Sequence, residues 1–320
     1  MDGELKLFSG SANPDLAKEI AKYIQKPLGK IQISHFKDGE VYVMIEENVR
    51  GADTFIIQPT SKYVNHNLME LAIIIDALKR ASADRVTAVM PYYGYARQDR
   101  KAKPREPITA KLVANLITAA GADRVLTLDL HSGQIQGFFD IPLDHLSAVP
   151  LLASYLLDKK LKDFVVVSPD AGGAKKARVL AKVLKAPLAI IDKSREIHNQ
   201  VAEMHVIGKV KHKDCILVDD MIDTGGTISE AAKALKKGGA NDVYVCATHG
   251  LFSDPAIKRL SDNSIKEIIV TNTIQQNKLP PKFKVLSVGP LLGEAISRIH
   301  SNKSLSALFD EVIRKPLKRY

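Results

Sequence analysis

Residues 216–228 read ILVDDMIDTGGTI, an apolar run that meets a helical pattern through three carboxylates and two adjacent glycines. Gly225 and Gly226 allow backbone N–H groups to converge on an anion. A helix opening near Thr227 adds partial positive charge at the same place. Thr224 and Thr227 contribute hydroxyl donors, and Asp223 opens the turn. The lysine and spacing of a Walker A loop are absent. A phosphate explains the glycines and threonines but not the acids before them. Asp219 and Asp220, at the expected end of the strand, suit hydrogen bonds from paired hydroxyls. A ligand with a phosphate at one end and a vicinal diol at the other is a sugar phosphate, and ribose 5-phosphate fits.

Other turns carry unusual residues. After the strand ending at Pro91, YYGYARQDRKAKPREP sets Arg97, Gln98, Arg100, Lys101, Lys103 and Arg105 before a helix from Ile108. Such a loop can be a solvated basic face, a nucleic-acid contact or a lid over a polyphosphate. FKDGE (Phe36, Asp38, Gly39, Glu40) reads as an ordinary turn between two strands. His131 follows the strand in TLDLHS, where a lone histidine is more often structural. Asp170 precedes Gly172 and Gly173 in VVVSPDAGG. One histidine and one aspartate are too few for a protein-built metal cage. They are enough for Mg²⁺, which fills its shell with water and substrate phosphates. Lys193 and Arg195 in IIDKSREI form a pair that is most often solvated surface.

The elements that must position these residues alternate, apolar β-branched runs with helical patterns, giving α/β with largely parallel sheets. In such sheets ligands gather outside the carboxyl ends of the strands. The order of elements repeats at an offset of about 160 residues, far beyond a solenoid period. LKLFSGSANPDLAKEIAKYI pairs with FVVVSPDAGGAKKARVLAKVL. TFIIQPT, its helix and RVTAVMPYYG pair with CILVDDM, its helix and VYVCATHG. RVLTLDLHS pairs with KVLSVGP. The chain of 320 residues is therefore expected to hold two duplicated domains, 1–145 and 146–320, with a tail from about 299 packing across the N-terminal half.

Composition, 45% hydrophobic and 26% charged, describes a soluble globular protein. The net charge of +10 is spread along the chain, which favours small acidic ligands over nucleic acid. MDGELKLFSG lacks the features of a signal peptide, and LAIIIDAL is too short to span a bilayer. A cytoplasmic location is the default expectation. Cys215 and Cys246 sit in strand-like runs and read as buried small hydrophobes.

DDMIDTGGT resembles the PRPP-binding signature of type I phosphoribosyltransferases and of ribose-phosphate pyrophosphokinases. YARQDRK followed by PITAKLVAN resembles the ATP-contacting loop of the pyrophosphokinases alone, which decides between the readings of that basic stretch. The resemblance to the bacterial class I forms covers nearly the whole chain. It implies two type I phosphoribosyltransferase-like domains, each a largely parallel sheet flanked by helices. It places Phe36, Asp38, Gly39, Glu40, Arg97 and Gln98 at ATP, with the FKDGE turn reaching a neighbouring subunit's site. It places Asp219, Asp220, Asp223, Thr224, Gly225, Gly226 and Thr227 at ribose 5-phosphate, Mg²⁺ at His131 and Asp170, and catalysis at Lys193 and Arg195. Residues 194–200 depart from the bacterial forms, which are richer in Arg and Pro. The implied assembly is a homohexamer built from dimers, activated by inorganic phosphate and inhibited by ADP, with Gln134, Asp144, Ser304 and Ser306 in the regulatory region. The implied reaction joins ATP and ribose 5-phosphate into PRPP and AMP. A transferase consuming PRPP would share only the 219–227 turn. A silent PRPP-binding regulator would show damaged catalytic motifs or an added DNA-binding segment.

Overall fold

Asn13 caps a helix with its side chain, accepting the Leu16 N–H at 3.2 Å, and Pro14 occupies the first turn where no amide partner is lost. That helix, α1 (Pro14–Ile24), buries Leu16, Ala17, Ile20 and Ala21 as one stripe. It follows β1 (Leu5–Ser9) in a computed structural model that describes residues 3–193, 204–306 and 308. The chain forms two units. The first holds residues up to Ser147, with 273–275 and a segment beginning at Ser287, and the second holds most of the remainder.

In the first unit, β2 (Ile31–His35) and β3 (Val41–Ile45) form an antiparallel hairpin. Then come β4 (Asp53–Ile57), α2 (Val64–Arg80), β5 (Arg85–Met90), α3 (Thr109–Ala119), β6 (Arg124–Leu128) and β7 (Leu143–Leu146). The five-stranded sheet runs β1-β4-β5-β6-β7, all parallel. β4 is buried along its whole length, as a parallel strand covered on both faces should be.

The second unit contains α4 (Val149–Asp158), β8 (Phe164–Ser168), α5 (Ala174–Leu184), β9 (Leu188–Lys193) and β10 (Met204–Ile207). It continues with β11 (Asp214–Ile222), α6 (Gly226–Lys237), β12 (Val243–Gly250), α7 (Ala256–Leu260), β13 (Glu267–Thr271) and β14 (Phe283–Leu286). Its sheet order is β10-β9-β8-β11-β12-β13-β14, parallel except for the β9–β10 pair. Cys215 and Cys246 are buried there as free thiols, and burial pushes the Cys215 thiol up to about 12.

The two sheets share one plan. β1-β4-β5-β6-β7 corresponds strand for strand to β8-β11-β12-β13-β14, and each unit places an antiparallel strand pair after the helix that follows the first of these strands. One sequence pairing needs correction. KVLSVGP contains β14, whose counterpart is β7, while RVLTLDLHS contains β6, whose counterpart is β13. The long connection from β5 to α3 in the first unit shortens the offset to about 140 beyond it, so matching at a constant offset slips by one strand.

The chain also returns to the first unit earlier than the tail expected from about 299. The return begins at Ser287 and carries α8 (Gly289–His300), which packs on α1 and buries Leu292, Ala295 and Ile296. Tyr23 donates to Glu294 Oε2 at 3.0 Å across this contact. Asp53, fully buried, accepts two bonds from Arg85 at 2.8 and 2.6 Å and lies 2.8 Å from His300 Nδ1.

Candidate active site

β8 and β11 are neighbours, yet the chain leaves β8 to build β9 on its far side before returning to β11. Connectivity therefore reverses between β8 and β11, and the crevice outside their carboxyl ends is where a parallel sheet holds ligands. The turn after β8 presents Asp170, exposed, with its Oδ1 accepting the Gly173 N–H at 2.7 Å. The turn after β11 presents residues 223–227.

β11 is longer than the sequence reading allowed. It runs through Asp219 and Asp220 to Ile222, because β12 continues to pair with it at Met221↔His249 and Ile222↔Gly250. The two acids thus have a rigid sheet backbone. Asp219 is half-buried and accepts the Asp220 N–H at 2.8 Å. Asp220 is buried and pairs with Lys176 of α5 at 3.2 Å. Burial first, then the Asp220 carboxyl beside it, raises Asp219 from the usual carboxylate range to about 8, and Asp170 adds to the repulsion. Three carboxylates therefore converge on one crevice where ionisation is costly. Hydroxyl donors or a cation in the ligand would relieve that cost.

Gly225 caps α6 without any side-chain acceptor, leaving the first-turn N–H groups for an external anion. Its φ of +70° is left-handed, and a Cβ there would meet Leu260 Cγ at 2.9 Å. Gly225→Ala is expected to destabilise the chain by about 1–2 kcal/mol, read as a lower Tm. Gly226→Ala should leave Tm unchanged, since its Cβ would find Arg259 Nη1 at 3.7 Å and Thr224 Oγ1 at 4.0 Å, both ordinary contacts. Thr224 and Thr227 are exposed beside this turn.

Lys193 is the last residue of β9, on the same carboxyl edge, and pairs in register with Met204. Arg195 and the divergent stretch 194–200 lie outside the described residues.

In the first unit the FKDGE residues form the hairpin tip between β2 and β3. Gly39, with φ of +97°, donates to Phe36 O at 3.0 Å, Phe36 donates to Glu40 O at 2.9 Å, and Glu40 donates to Asp38 Oδ1 at 3.2 Å. Phe36 stands 55% exposed, edge-on to Tyr42 at 5.9 Å, an apolar ring offered outward. The connection from β5 to α3 is only partly the open loop that its composition implied. Tyr92 and Tyr93 are core residues, and the Tyr93 hydroxyl donates to Ala110 O at 2.8 Å. Gln98 is exposed but its carbonyl accepts the Ala110 N–H at 3.1 Å and its Oε1 accepts the Thr109 hydroxyl, tying it to the start of α3. Glu106 accepts the N–H groups of Ala102 and Lys103 at 2.8 and 2.9 Å, which curls the loop while Arg97, Arg100, Lys101, Lys103 and Arg105 stay exposed. His131 is exposed in the turn after β6. His131 in the first unit and Asp170 in the second are each a single exposed donor, and either one, bound to Mg²⁺, would leave most of the shell to water and phosphate oxygens.

Two family models match the chain, the N-terminal domain of ribose phosphate pyrophosphokinase over residues 5–121 and the phosphoribosyl synthetase-associated domain over residues 194–310. Ribose-phosphate pyrophosphokinase of Gloeobacter violaceus is 58% identical over 311 residues, covering 96% of this chain and 94% of the relative. That of Bacillus subtilis is 56% identical over 310 residues, covering 96% and 98%. The chain belongs to the ribose-phosphate pyrophosphokinase family. Its fold is likewise that of the phosphoribosylpyrophosphate synthetase from Mycobacterium smegmatis, with TM-score 0.90, 46% identity, and coverage of 93% of this chain and 99% of that one.

For this pyrophosphokinase-family chain, the residues expected to regulate are gathered unevenly. A cavity of about 580 Å³ in the first unit is lined by Asp144 and Ser306, together with Arg85, Arg124 and Lys303. Asp144 pairs with Arg124 at 2.6 Å. Ser304 is hydrogen-bonded to Ser306 at 3.0 Å. Gln134 is exposed on the short 3₁₀ turn Gly133–Phe138, and it is Gln136 of that turn that lines the cavity. Sequence reasoning missed Lys176. The available signal was that a buried acid such as Asp220 needs a nearby cation, and AKKA opens the helix facing it.

Proposed function

We propose that this chain is a ribose-phosphate pyrophosphokinase that makes PRPP and AMP from ATP and ribose 5-phosphate for nucleotide biosynthesis. The observation that carries the reading is the β8/β11 crevice, with carboxylates on β11 for ribose hydroxyls and the uncapped α6 N-terminus for the 5-phosphate. The oxygen of the ribose 1-hydroxyl attacks the β-phosphorus of ATP in line. The bond from that phosphorus to the α,β-bridging oxygen breaks, AMP leaves with the oxygen, and the hydroxyl proton is released. Asp219 and Asp220 orient the ribose, residues 223–227 hold its phosphate, and Phe36, Asp38, Gly39, Glu40, Arg97 and Gln98 hold the nucleotide. Lys193 and Arg195 neutralise charge on the diphosphoryl group in flight, since such transfers depend on positioning and electrostatics. His131 and Asp170 would hold Mg²⁺, which supplies charge neutralisation at the polyphosphate when bound.

The same reading makes the active form a hexamer built from dimers, with the exposed Phe36 tip serving a neighbouring copy. The Arg- and Lys-lined cavity at Asp144 and Ser306 would take phosphate as activator and ADP as inhibitor. Sedimentation analysis and phosphate omission test these two points. Among the described residues, no helix is long and apolar enough to cross a membrane.

The deciding experiment is AMP and PRPP formation with Mg-ATP, ribose 5-phosphate and phosphate. One-for-one appearance that requires both substrates and Mg²⁺ supports the reading. PRPP binding without AMP would leave a transferase or a regulator instead. Phe36→Ala is expected to raise KM for ATP about 10-fold, the loss of one base-stacking partner, with KM for ribose 5-phosphate unchanged in the same assay.

A further inference from the structure

A separate constellation lies in the first unit, outside every residue assigned above. His35 ends β2, while His66 and Glu70 stand one turn apart on α2. His35 Nε2 is 3.3 Å from His66 Nε2, and His66 Nε2 is 3.6 Å from Glu70 Oε2. All three ligand atoms fall within 4.8 Å of one another. Donors bound to one tetrahedral ion at about 2.1 Å are separated by about 3.4 Å, so the two measured spacings already match a shared ion.

The carboxylate is also prepared as a ligand. Glu70 is fully buried, and its oxygens accept from the Ser11 N–H, the Ser11 hydroxyl and Gln58 Nε2, each at 2.7 Å. Such outer partners fix the orientation of a metal-binding carboxylate. The histidines stand on the open side, His35 exposed and His66 half-buried, so an ion and its remaining water have a path in. Two imidazoles and one carboxylate make a mixed nitrogen and oxygen set. That set prefers a borderline transition-metal dication to Mg²⁺, which favours oxygen alone. A plain hydrogen bond between the imidazoles would account for the 3.3 Å spacing but not for Glu70 as third member.

We propose that His35, His66 and Glu70 form a binding site for a first-row transition-metal dication of the Zn²⁺ class, distinct from the Mg²⁺ used with ATP. An ion there joins the end of β2, immediately before Phe36, to α2, and so pins the base of the 36–40 turn. The site stands on its own geometry and does not depend on the catalytic reading.

The test is titration of the full chain with Co²⁺, followed by Zn²⁺ competition, in excess Mg²⁺. The expected result is one equivalent per chain, with the visible absorption of low-coordinate Co²⁺ displaced by Zn²⁺. His35→Gln and His66→Gln should each weaken binding more than about 10-fold, the scale at which even outer-shell changes act, while His131→Ala keeps it. Both histidine variants alter accessible side chains, and circular dichroism confirms folding. If either fails to fold, the other carries the comparison. No Co²⁺ signature, one that survives both histidine variants, or one abolished by His131→Ala would overturn the site.

Discussion

Lys193→Ala is expected to lower kcat by about 100- to 1000-fold while changing KM for either substrate by less than about threefold. The argument starts from the sheet. β9 runs parallel to β8, with Ser168 opposite Ile190, so the chain leaves β9 at Lys193 on the edge that also carries Asp170 and the 223–227 turn. On the proposed mechanism, the Lys193 cation acts as negative charge builds on the diphosphoryl group. An interaction made in the transition state alone lowers kcat and kcat/KM equally when it is removed. Lys193→Arg should recover part of the loss, because charge is kept while the compact ammonium is replaced by a planar fork. Steady-state kinetics with each substrate varied decides the matter. A loss confined to KM would move Lys193 from catalysis to ground-state binding.

What the sequence discloses about this fold depends on whether the signal is local. The strand-to-helix turns are local. Apolar runs ending in Ser-Pro-Asp-Ala-Gly-Gly or Asp-Thr-Gly-Gly-Thr show where ligands can sit, and the structure puts both turns at one switch point. The features that escaped are set by partners distant in sequence. The length of β11 comes from pairing with β12, which no property of DDMI encodes. Tyr92 and Tyr93 look like loop aromatics beside so many bases, yet both sink into the core, where α3 offers the Ala110 carbonyl to the Tyr93 hydroxyl. Lys176 matters only once α5 is seen against Asp220. His35 and His66 are separated by 31 positions and meet only because the β2–β3 hairpin packs on α2. Duplication was legible as an order of elements, and its register failed where the first unit lengthened one connection.

Asp219→Asn is expected to raise KM for ribose 5-phosphate about 100-fold, the loss of charge-assisted bonds from sugar hydroxyls to a carboxylate. The pH dependence tests the cause. Hydroxyl donors favour the ionised carboxylate, whereas burial and Asp220 hold the ligand-free Asp219 protonated up to about 8. Calorimetry without divalent ions should therefore show affinity for ribose 5-phosphate rising between pH 7 and pH 8, then levelling. The ligand's own phosphate, which titrates near pH 6, is already ionised in that window. Stability of the ligand-free chain should run the other way. A group whose folded pKa is raised contributes stability below its unfolded value and loses it as pH rises through the folded one, so Tm should fall toward pH 8 as affinity climbs. In Asp219→Asn both slopes should vanish together. Asp220→Asn removes the neighbouring charge, so the rise in affinity should move to lower pH. A rise that stays near pH 8 in Asp220→Asn would mean that burial alone holds the proton and that the two acids do not act as a pair.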